Sequence, residues 1–491
     1  MPQDILTGAR DIPIILKAYR NVQNKKYQID MCHGPLFSQI VRFSLPLMAT
    51  TMLSLLFHAA DLVVLGQFAP SESMGAVGAT SSLIVLQLIF FYGLSAGVNV
   101  LVARYIGAKD PVNTSRTVHT AIALALAAGV AVAIVGIATA GPVLRLMDTP
   151  AEVLDGAIIY LAINALGAPA VICYSFGSAI LRAMGDTKRP LIYITVAGVV
   201  NVLLNLFFVI VFHWDVAGVA IATKLSNLIS AILVLRALNQ TDGATRLIWR
   251  KIRFHAGALK EILIQGVPAG IQGSMFSIAN VIIQSSVNSF GWQAVAGNTA
   301  AVSLEAIINV ASSAYYQTAI SFTGQNSGGK KHKRIIRSIW YCIGCCVFFA
   351  LLGGWSTCLT SHFWLGLYNP DPEVIRWGAL RMNVMMTTYF LCGIMDVIAG
   401  SLRGLGHSVL PTVTTLIGVC GGRLIWIFFI FRLFPEHLQW QALLAVYPVS
   451  WTLVIFVNGG ILFYVCRKML YQASHQRLFV RSFFPPHVRL H

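Results

Sequence analysis

The chain has 491 residues, of which 56% are hydrophobic and only 11% are charged, and its mean hydropathy is +0.72. Soluble domains carry about 25% charged residues, and a single soluble core stops growing well below this length. The composition therefore excludes an ordinary soluble protein and indicates that lipid is the solvent. The net charge of +17 would suit nucleic-acid binding or the cytoplasmic loops of a membrane protein, and the positions of the charges decide between them.

The first 35 residues are polar and lack a charged-then-apolar leader with a cleavage site, so we interpret them as a cytoplasmic lead-in in which Met31 could be the true start. Beyond them, a scan for apolar runs of about 20 residues, the length that crosses a bilayer, predicts twelve helices. Their approximate ranges are 40–67, 75–104, 117–143, 156–181, 190–213, 216–237, 262–289, 295–322, 335–362, 377–402, 410–433 and 441–466. Such long apolar runs exclude alternating barrel strands, so we predict an all-α membrane protein.

The basic residues are distributed unevenly along the chain. If the N-terminus is inside, 29 of the 35 Lys and Arg residues fall in cytoplasmic segments. The positive-inside rule therefore places both termini in the cytoplasm. The same distribution argues against nucleic-acid binding, because membrane topology alone explains the basic excess.

The second half of the chain repeats the first. Pro46 recurs as Pro268, and Leu181-Arg-Ala-Met-Gly185 matches Leu402-Arg-Gly-Leu-Gly406 at an offset of 221 residues. Each copy holds an even number of helices, which predicts two six-helix lobes related by a pseudo-twofold axis along the membrane normal. We divide the chain into a lead-in, an N-lobe (helices 1–6), a basic cytoplasmic linker, a C-lobe (helices 7–12) and a basic cytoplasmic tail: residues 1–35, 36–238, 239–260, 261–467 and 468–491.

Three of the 18 carboxylates lie well inside predicted spans: Asp61 in helix 1, Glu305 in helix 8 and Asp396 in helix 10. Ionisable groups are expensive in lipid, so these residues are candidates for function. A desolvated carboxylate can exchange a proton near neutral pH or hold a cation. The structural alternative is a buried ion pair, for which Arg423 in helix 11 could serve Asp396 or Glu305.

Neutral polar residues surround the first of these carboxylates in the predicted N-lobe. Asn201 and Asn205 lie one turn apart on helix 5 and share a face, and Thr223 on helix 6 could add a hydroxyl. These groups would suit Na⁺ or a hydrogen-bonded proton carrier, and interhelical hydrogen bonding without a ligand is the alternative. Lys224 either extends its ammonium group to the outer interface or competes with a bound cation, and we favour the first.

Two further motifs do not predict a site. Cys342, Cys345 and Cys346 lack a second Cys or His group at a zinc-site spacing, so we expect no metal. Gly324–Lys330 fits G-x-x-x-x-G-K, but Lys331 replaces the Ser or Thr that a phosphate-binding loop needs for Mg²⁺. No soluble segment could hold a nucleotide-binding domain, and no paired nucleophile and base lies in the spans. We therefore expect neither an ATP-driven pump nor an enzyme.

Five stretches, spread over both halves of the chain, carry a family resemblance: residues 45–66, 93–107, 181–187, 322–326 and 393–406. On these stretches the chain resembles the bacterial branch of the multidrug and toxic compound extrusion (MATE) family. The resemblance implies a V-shaped antiporter of the bacterial inner membrane, monomeric and without a cofactor. It implies export of small molecules, organic cations or amphipathic compounds, in exchange for H⁺ or Na⁺.

The resemblance also assigns residues in the N-lobe. Asp61 matches the family's helix 1 acid, Asn201 its helix 5 asparagine, and Thr223 a helix 6 threonine that some members use. Asn205 departs from the branch with a well-defined N-lobe cation site, which carries Asp at that position. Because one negative charge is missing, we expect H⁺ rather than Na⁺ as the coupling ion.

A flippase for a lipid-linked precursor is the alternative function, since related folds share this architecture. A flippase should line its cavity with several basic residues to hold a phosphate. The intramembrane basic residues are few, with Lys224 and Arg423 the most evident, which favours the exporter. For an exporter, Glu305 and Asp396 could supply the C-lobe charge that a cationic substrate needs.

Overall fold

The computed structural model describes residues 27–435 and 438–483, and all the regular structure in these residues is helical. Eleven of the helices are long and apolar enough to cross a membrane, or twelve spans if one bent pair counts as a single span. We number them α1 Leu36–Phe68, α2 Ser71–Gly107, α3 Pro111–Leu146, α4 Ala151–Leu166 with Ala168–Ala183, α5 Lys188–Leu206 with the π-helical turn Phe207–Val211, α6 Asp215–Gln240, α7 Ala256–Asn288, α8 Trp292–Gly328, α9 His332–Leu359, α10 Pro372–Gly404, α11 Val409–Ile430 and α12 Gln439–Phe483. A short helix, Ser361–Tyr368, follows α9. The predicted twelve-helix membrane fold is confirmed.

The chain divides into two compact units, Met1–Ser274 and Met275–His491. In the first unit, α2, α3 and α6 pack around the second half of α4. In the second unit, α8, α9 and α12 pack around α10. The central helix is thus the fourth of its lobe in both units. The boundary between the units falls within α7, and residues 239–260 lie in the first unit.

The repeated Leu-Arg…Gly sequence forms the same helix end in both units. Gly185 and Gly406, which follow α4 and α10, have φ of +89° and +90°. Glycine adopts this left-handed conformation without steric cost, and it commonly ends helices. In both copies the amide after the glycine donates to the carbonyl of the leucine that opens the motif, at 2.9 Å. The repeated sequence therefore forms the same glycine-capped helix end in both units.

Two packing arrangements position the candidate carboxylates. In the first unit, α1 packs on α5 and α5 packs on α6, which brings three polar helix faces together. In the second unit, α8 and α10 pack extensively on each other. Gly297 on α8 and Gly400 on α10 face the partner helix so closely that a Cβ atom would overlap its backbone. Small residues at such positions let membrane helices approach closely.

α11 is irregular in the part that carries its one described basic side chain, Arg423. The segments Leu416–Gly421 and Trp426–Ile430 are π-helical and flank the short α-helical segment Gly422–Ile425. π-helical turns are rare and are frequent at functional sites.

Candidate functional site

Asp61 lies on α1 against α5 and α6, and only 8% of it is exposed. Its Oδ1 accepts a hydrogen bond from Asn205 Nδ2 at 2.5 Å, and its Oδ2 accepts one from Thr223 Oγ1 at 3.2 Å. No Lys, Arg or His nitrogen of the described chain lies within 4 Å of the carboxylate. Asp61 is therefore a buried carboxylate held by neutral donors alone.

The helix 5 asparagines meet this carboxylate as their spacing predicts. Asn201 donates from Nδ2 to Thr223 Oγ1 at 3.2 Å, so Asn201, Asn205, Thr223 and Asp61 form one hydrogen-bonded group. Both asparagines are buried, and their Oδ1 atoms have no hydrogen-bond partner among the residues described. Two acceptor oxygens therefore lie in an otherwise apolar interior, where a proton donor or a cation would lower their free energy.

The Thr223 hydroxyl has two acceptors for its single proton. It lies 2.8 Å from the Val219 carbonyl oxygen of its own helix and 3.2 Å from Asp61 Oδ2. Because a hydroxyl donates only one hydrogen bond, it can donate to the carboxylate when Asp61 is charged. It can return to the backbone when Asp61 is neutral. The hydroxyl can therefore adapt to a change in the charge of Asp61 without movement of a helix.

Lys224 is adjacent to the site in sequence but forms no ion pair with Asp61 within 4 Å. Its Cβ, Cγ and Cδ atoms lie against Gly167, where α4 is bent by 42°. Pro169, with no N–H group, follows the bend. The methylene stem of Lys224 thus fills the space that the absent side chain of Gly167 leaves.

In the second unit, Glu305 on α8 forms a buried ion pair, the alternative that the sequence offered, but its partner is Arg381 and not Arg423. Arg381 on α10 donates from Nε to Oε1 at 2.6 Å and from Nη2 to Oε2 at 2.9 Å. Its Nη1 donates to Asn298 Oδ1 at 2.8 Å, and its guanidinium group lies 5.4 Å from the centre of the Tyr447 ring. This bidentate geometry is the strong form of an Arg–carboxylate pair.

Arg423, which the sequence offered as an alternative partner for Asp396 or Glu305, pairs with neither of them. Arg423 donates from Nη1 to Asn280 Oδ1 at 3.0 Å, and no carboxylate of the described chain lies within 4 Å of it. Its guanidinium group packs on the rings of Tyr447 at 4.5 Å and Phe276 at 5.5 Å. α11 does not pack closely on α8, whereas α10 does, so the arginine of α10 meets Glu305 first. The position of Arg381 inside predicted helix 10 was the available signal.

Asp396 lies apart from the Glu305 pair. It is 15 residues beyond Arg381 on α10, which corresponds to about 22 Å along a helix axis. Asp396 is half-buried, and in the described parts of the chain it has no hydrogen-bond or ion-pair partner. The structure therefore does not bring the two predicted C-lobe carboxylates together, and of the two only Asp396 lacks an ion pair within 4 Å in the described chain.

Comparisons with known proteins agree with this architecture. The family model MatE matches residues 46–207 and 268–457. The probable multidrug resistance protein YpnP of Bacillus subtilis is 27% identical over 79% of this chain and 87% of its own. The multidrug export protein MepA of Staphylococcus haemolyticus is 21% identical over 86% of this chain and 90% of its own. An outward-facing MATE-family transporter of the MOP superfamily superimposes with a TM-score of 0.82 at 20% identity, covering 90% of this chain and 98% of that one.

Proposed function

This chain belongs to the MatE family, and on that premise we propose that it is a multidrug efflux antiporter driven by H⁺. The observation that supports this proposal best is the environment of Asp61. The carboxylate is buried, is held by Asn205 and Thr223, and has no cationic partner within 4 Å in the described chain. Such a group can change its charge without breaking an ion pair.

Proton uptake by Asp61 changes the net charge of the site by one unit. An isolated buried charge costs several kcal/mol in a low-dielectric interior. The ionised form of Asp61 therefore favours a conformation in which water reaches the site, and the protonated form favours a closed one. The Thr223 hydroxyl, with a second acceptor in the Val219 carbonyl, accommodates both forms. We infer that alternation between these forms couples proton entry to substrate exit.

The orientation of the neighbouring amides favours H⁺ over Na⁺. Asn205 directs its NH₂ group at Asp61, and Asn201 directs its NH₂ group at Thr223. An NH₂ group is a donor and cannot ligate a cation. A Na⁺ ion on the side that the NH₂ groups face would require both amides to turn by 180°, and any Na⁺ site formed by this group would contain only one carboxylate.

Asp396 supports the proposed substrate class, cationic or amphipathic small molecules. It is a carboxylate without an ion-pair partner in the described second unit, and a cation that approaches it would compensate both charges. The printed names of YpnP and MepA, multidrug resistance and multidrug export proteins, agree with a broad substrate range.

The flippase alternative receives less support. It requires basic side chains that are available to a phosphate group. Arg381 is neutralised by Glu305, and Arg423 is only 2% exposed and enclosed by aromatic rings. Neither guanidinium group is therefore available to a lipid-linked precursor in the conformation described.

We propose a location in the bacterial inner membrane, with both termini in the cytoplasm. The distribution of Lys and Arg along the sequence supports this orientation. Added thiol reagent that does not cross membranes should fail to label a cysteine introduced at Ser327 in intact cells and should label it after permeabilisation. Labelling in intact cells would contradict the orientation.

The proposed coupling is tested with purified protein in proteoliposomes. A pH gradient and a Na⁺ gradient are imposed separately, and the transport of a fluorescent organic cation is followed. We expect transport with the pH gradient alone and no response to Na⁺ at constant pH. Transport that requires Na⁺ and ignores the pH gradient would contradict the H⁺ proposal. Transport with neither gradient would contradict secondary antiport itself.

A further inference from the structure

The first unit has a second candidate site, a basic cavity at the start of α3, beside the chain that leads into α7. The cavity has a volume of about 500 Å³. Its lining residues include four cations and a serine: Arg116, Arg250, Lys251, Arg253 and Ser115. We refer to these five residues as the basic cavity. All four cations are exposed, and no carboxylate of the described chain lies within 4 Å of them.

Asp110, the acid directly before α3, already accepts hydrogen bonds from another residue. Asp110 caps the helix, accepting hydrogen bonds from Asn113 N at 3.1 Å and from Asn113 Nδ2 at 2.7 Å. These hydrogen bonds, together with the charge of Arg116, lower the pKa of Asp110, and no ion pair within 4 Å joins Asp110 to the cations. The basic cavity therefore has a net positive charge, and none of its four cations forms an ion pair within the described chain.

One wall of the cavity is formed by residues 247–255, the chain that precedes α7, and hydrogen bonds join this segment to α3. His119, 1% exposed, accepts from Ile248 N at 3.0 Å through Nε2, and its Nδ1 lies 2.7 Å from Ser115 O. Thr120 Oγ1 accepts from His255 N at 3.2 Å. Partial burial and the charges of Arg253 and Arg116 lower the pKa of His255, as expected for a histidine in a positive potential. The segment is thus an ordered wall of the cavity.

The segment before α7, residues 247–254, has apolar side chains on two opposite sides. Leu247 and Ile252 pack into the hydrophobic core of the unit. Trp249 and Phe254 point outward and are 53% and 51% exposed, and Val112 at the cavity edge is 56% exposed. Large exposed aromatic side chains next to cations are typical of the boundary between lipid headgroups and acyl chains.

From these observations we propose that the basic cavity binds the headgroup of an anionic phospholipid. The phosphodiester lies among Arg116, Arg250 and Lys251 and accepts hydrogen bonds from them. Trp249 and Phe254 contact the glycerol backbone and the first acyl carbons. Basic pockets at the ends of membrane helices bind anionic headgroups by this combination.

The positive-inside rule explains why this segment is basic, but it does not require the cations to converge. It operates on the number of charges in a loop and not on their geometry. The connection between α8 and α9 and the start of α9 offer the comparison, because Lys330, Lys333 and Arg337 are also exposed. None of them lines the basic cavity. A comparison of Arg116, Arg250 and Lys251 with Lys330, Lys333 and Arg337 can therefore distinguish a shaped site from general surface charge.

The test measures binding of phosphatidylglycerol and phosphatidylcholine to delipidated full-length protein in neutral detergent, by native mass spectrometry. One variant combines Arg116→Gln, Arg250→Gln and Lys251→Gln, and its matched control combines Lys330→Gln, Lys333→Gln and Arg337→Gln. We expect the first variant to bind phosphatidylglycerol about 10- to 100-fold more weakly, because each cation near a headgroup contributes about tenfold or less. The control should bind as the wild type does, and phosphatidylcholine should bind weakly to all three proteins.

Equal losses in both triple variants would overturn the proposal in favour of general surface charge, and no loss in either would overturn it outright. Glycerol 3-phosphate and inorganic phosphate are the competing ligands. If either displaces phosphatidylglycerol at an equal concentration, the site is one for a soluble phosphate and the lipid proposal fails. The variant Trp249→Ser/Phe254→Ser provides an independent measurement, with an expected loss of lipid affinity while the selectivity for an anionic headgroup remains.

Discussion

Asp61 and Glu305 are both carboxylates buried within membrane helices, one in each unit, and their partners differ. Asp61 accepts hydrogen bonds from two neutral side chains, Asn205 and Thr223. Glu305 accepts two hydrogen bonds from the guanidinium group of Arg381. Protonation of Asp61 breaks no ion pair within 4 Å, whereas protonation of Glu305 would leave Arg381 buried and unpaired.

The comparison shows that burial of an acid in a span does not by itself identify a transport residue. A carboxylate with neutral partners can exchange a proton at moderate cost. A carboxylate in a bidentate ion pair contributes mainly to holding two helices together, because loss of its charge destabilises its partner. Asp396, without either kind of partner, represents a third case.

The largest effect is expected at Asp61. Asp61→Asn removes the group that changes charge, so gradient-driven efflux in proteoliposomes should fall to the level of protein-free liposomes. The folded protein should persist, because the amide oxygen can accept the hydrogen bond from Asn205 while the Thr223 hydroxyl donates to the Val219 carbonyl. Melting temperature measured on the same preparation checks the fold.

The matched control is Asp155→Asn, the same chemical change at an exposed position in the first half of α4. It should transport as the wild type does. Normal gradient-driven efflux by Asp61→Asn would remove the basis for treating Asp61 differently from Glu305.

Glu305→Gln should mainly affect stability. It leaves the Arg381 charge buried without a counter-charge, which costs about 3–5 kcal/mol of folding free energy. We expect a lower melting temperature and equal loss of transport for cationic and neutral substrates. The double variant Glu305→Gln/Arg381→Gln removes both charges and should recover much of the stability. An unchanged melting temperature with selective loss of cation transport would instead make Glu305 a substrate-binding residue.

Asp396→Asn should show the opposite pattern. Because Asp396 has no ion-pair partner in the described residues, the substitution strands no charge, and the melting temperature should change little. Export of organic cations should weaken by about 10-fold or more, since an interaction with a charged group contributes about 1.5–3 kcal/mol. Export of a neutral substrate of similar size is the internal control. Equal losses for the two substrates would contradict a counter-charge role.

The smallest effect is expected at Thr223. Thr223→Val keeps the shape of the side chain but removes the hydroxyl that donates to Asp61 Oδ2. One hydrogen bond of about 1 kcal/mol corresponds to about a fivefold change, so the pH at which transport is half-maximal should rise by less than one unit. The sign follows because loss of a donor destabilises the ionised carboxylate and favours proton binding. Thr223→Ser should behave as the wild type does. A fall in that pH would contradict the assigned hydrogen bond.

The sequence by itself determined the membrane class, the twelve spans and the internal repeat. Lipid requires that each crossing segment be long, apolar and helical, so the apolar runs carry this information locally. The Asp61 group was also predictable in its membership. Asn201 and Asn205 lie one turn apart on one helix, and the resemblance to a known family indicated that this face meets Asp61 and Thr223.

Only the tertiary structure decided which charges are paired in the second unit. Hydropathy identifies Glu305, Arg381, Asp396 and Arg423 as residues within or near spans, but it does not indicate which helix faces meet. That choice depends on the close packing of α8 on α10, which small residues such as Gly297 allow. An ion pair depends on separations of a few ångströms between side chains far apart in the chain. The local pattern of the sequence contains no information at that distance.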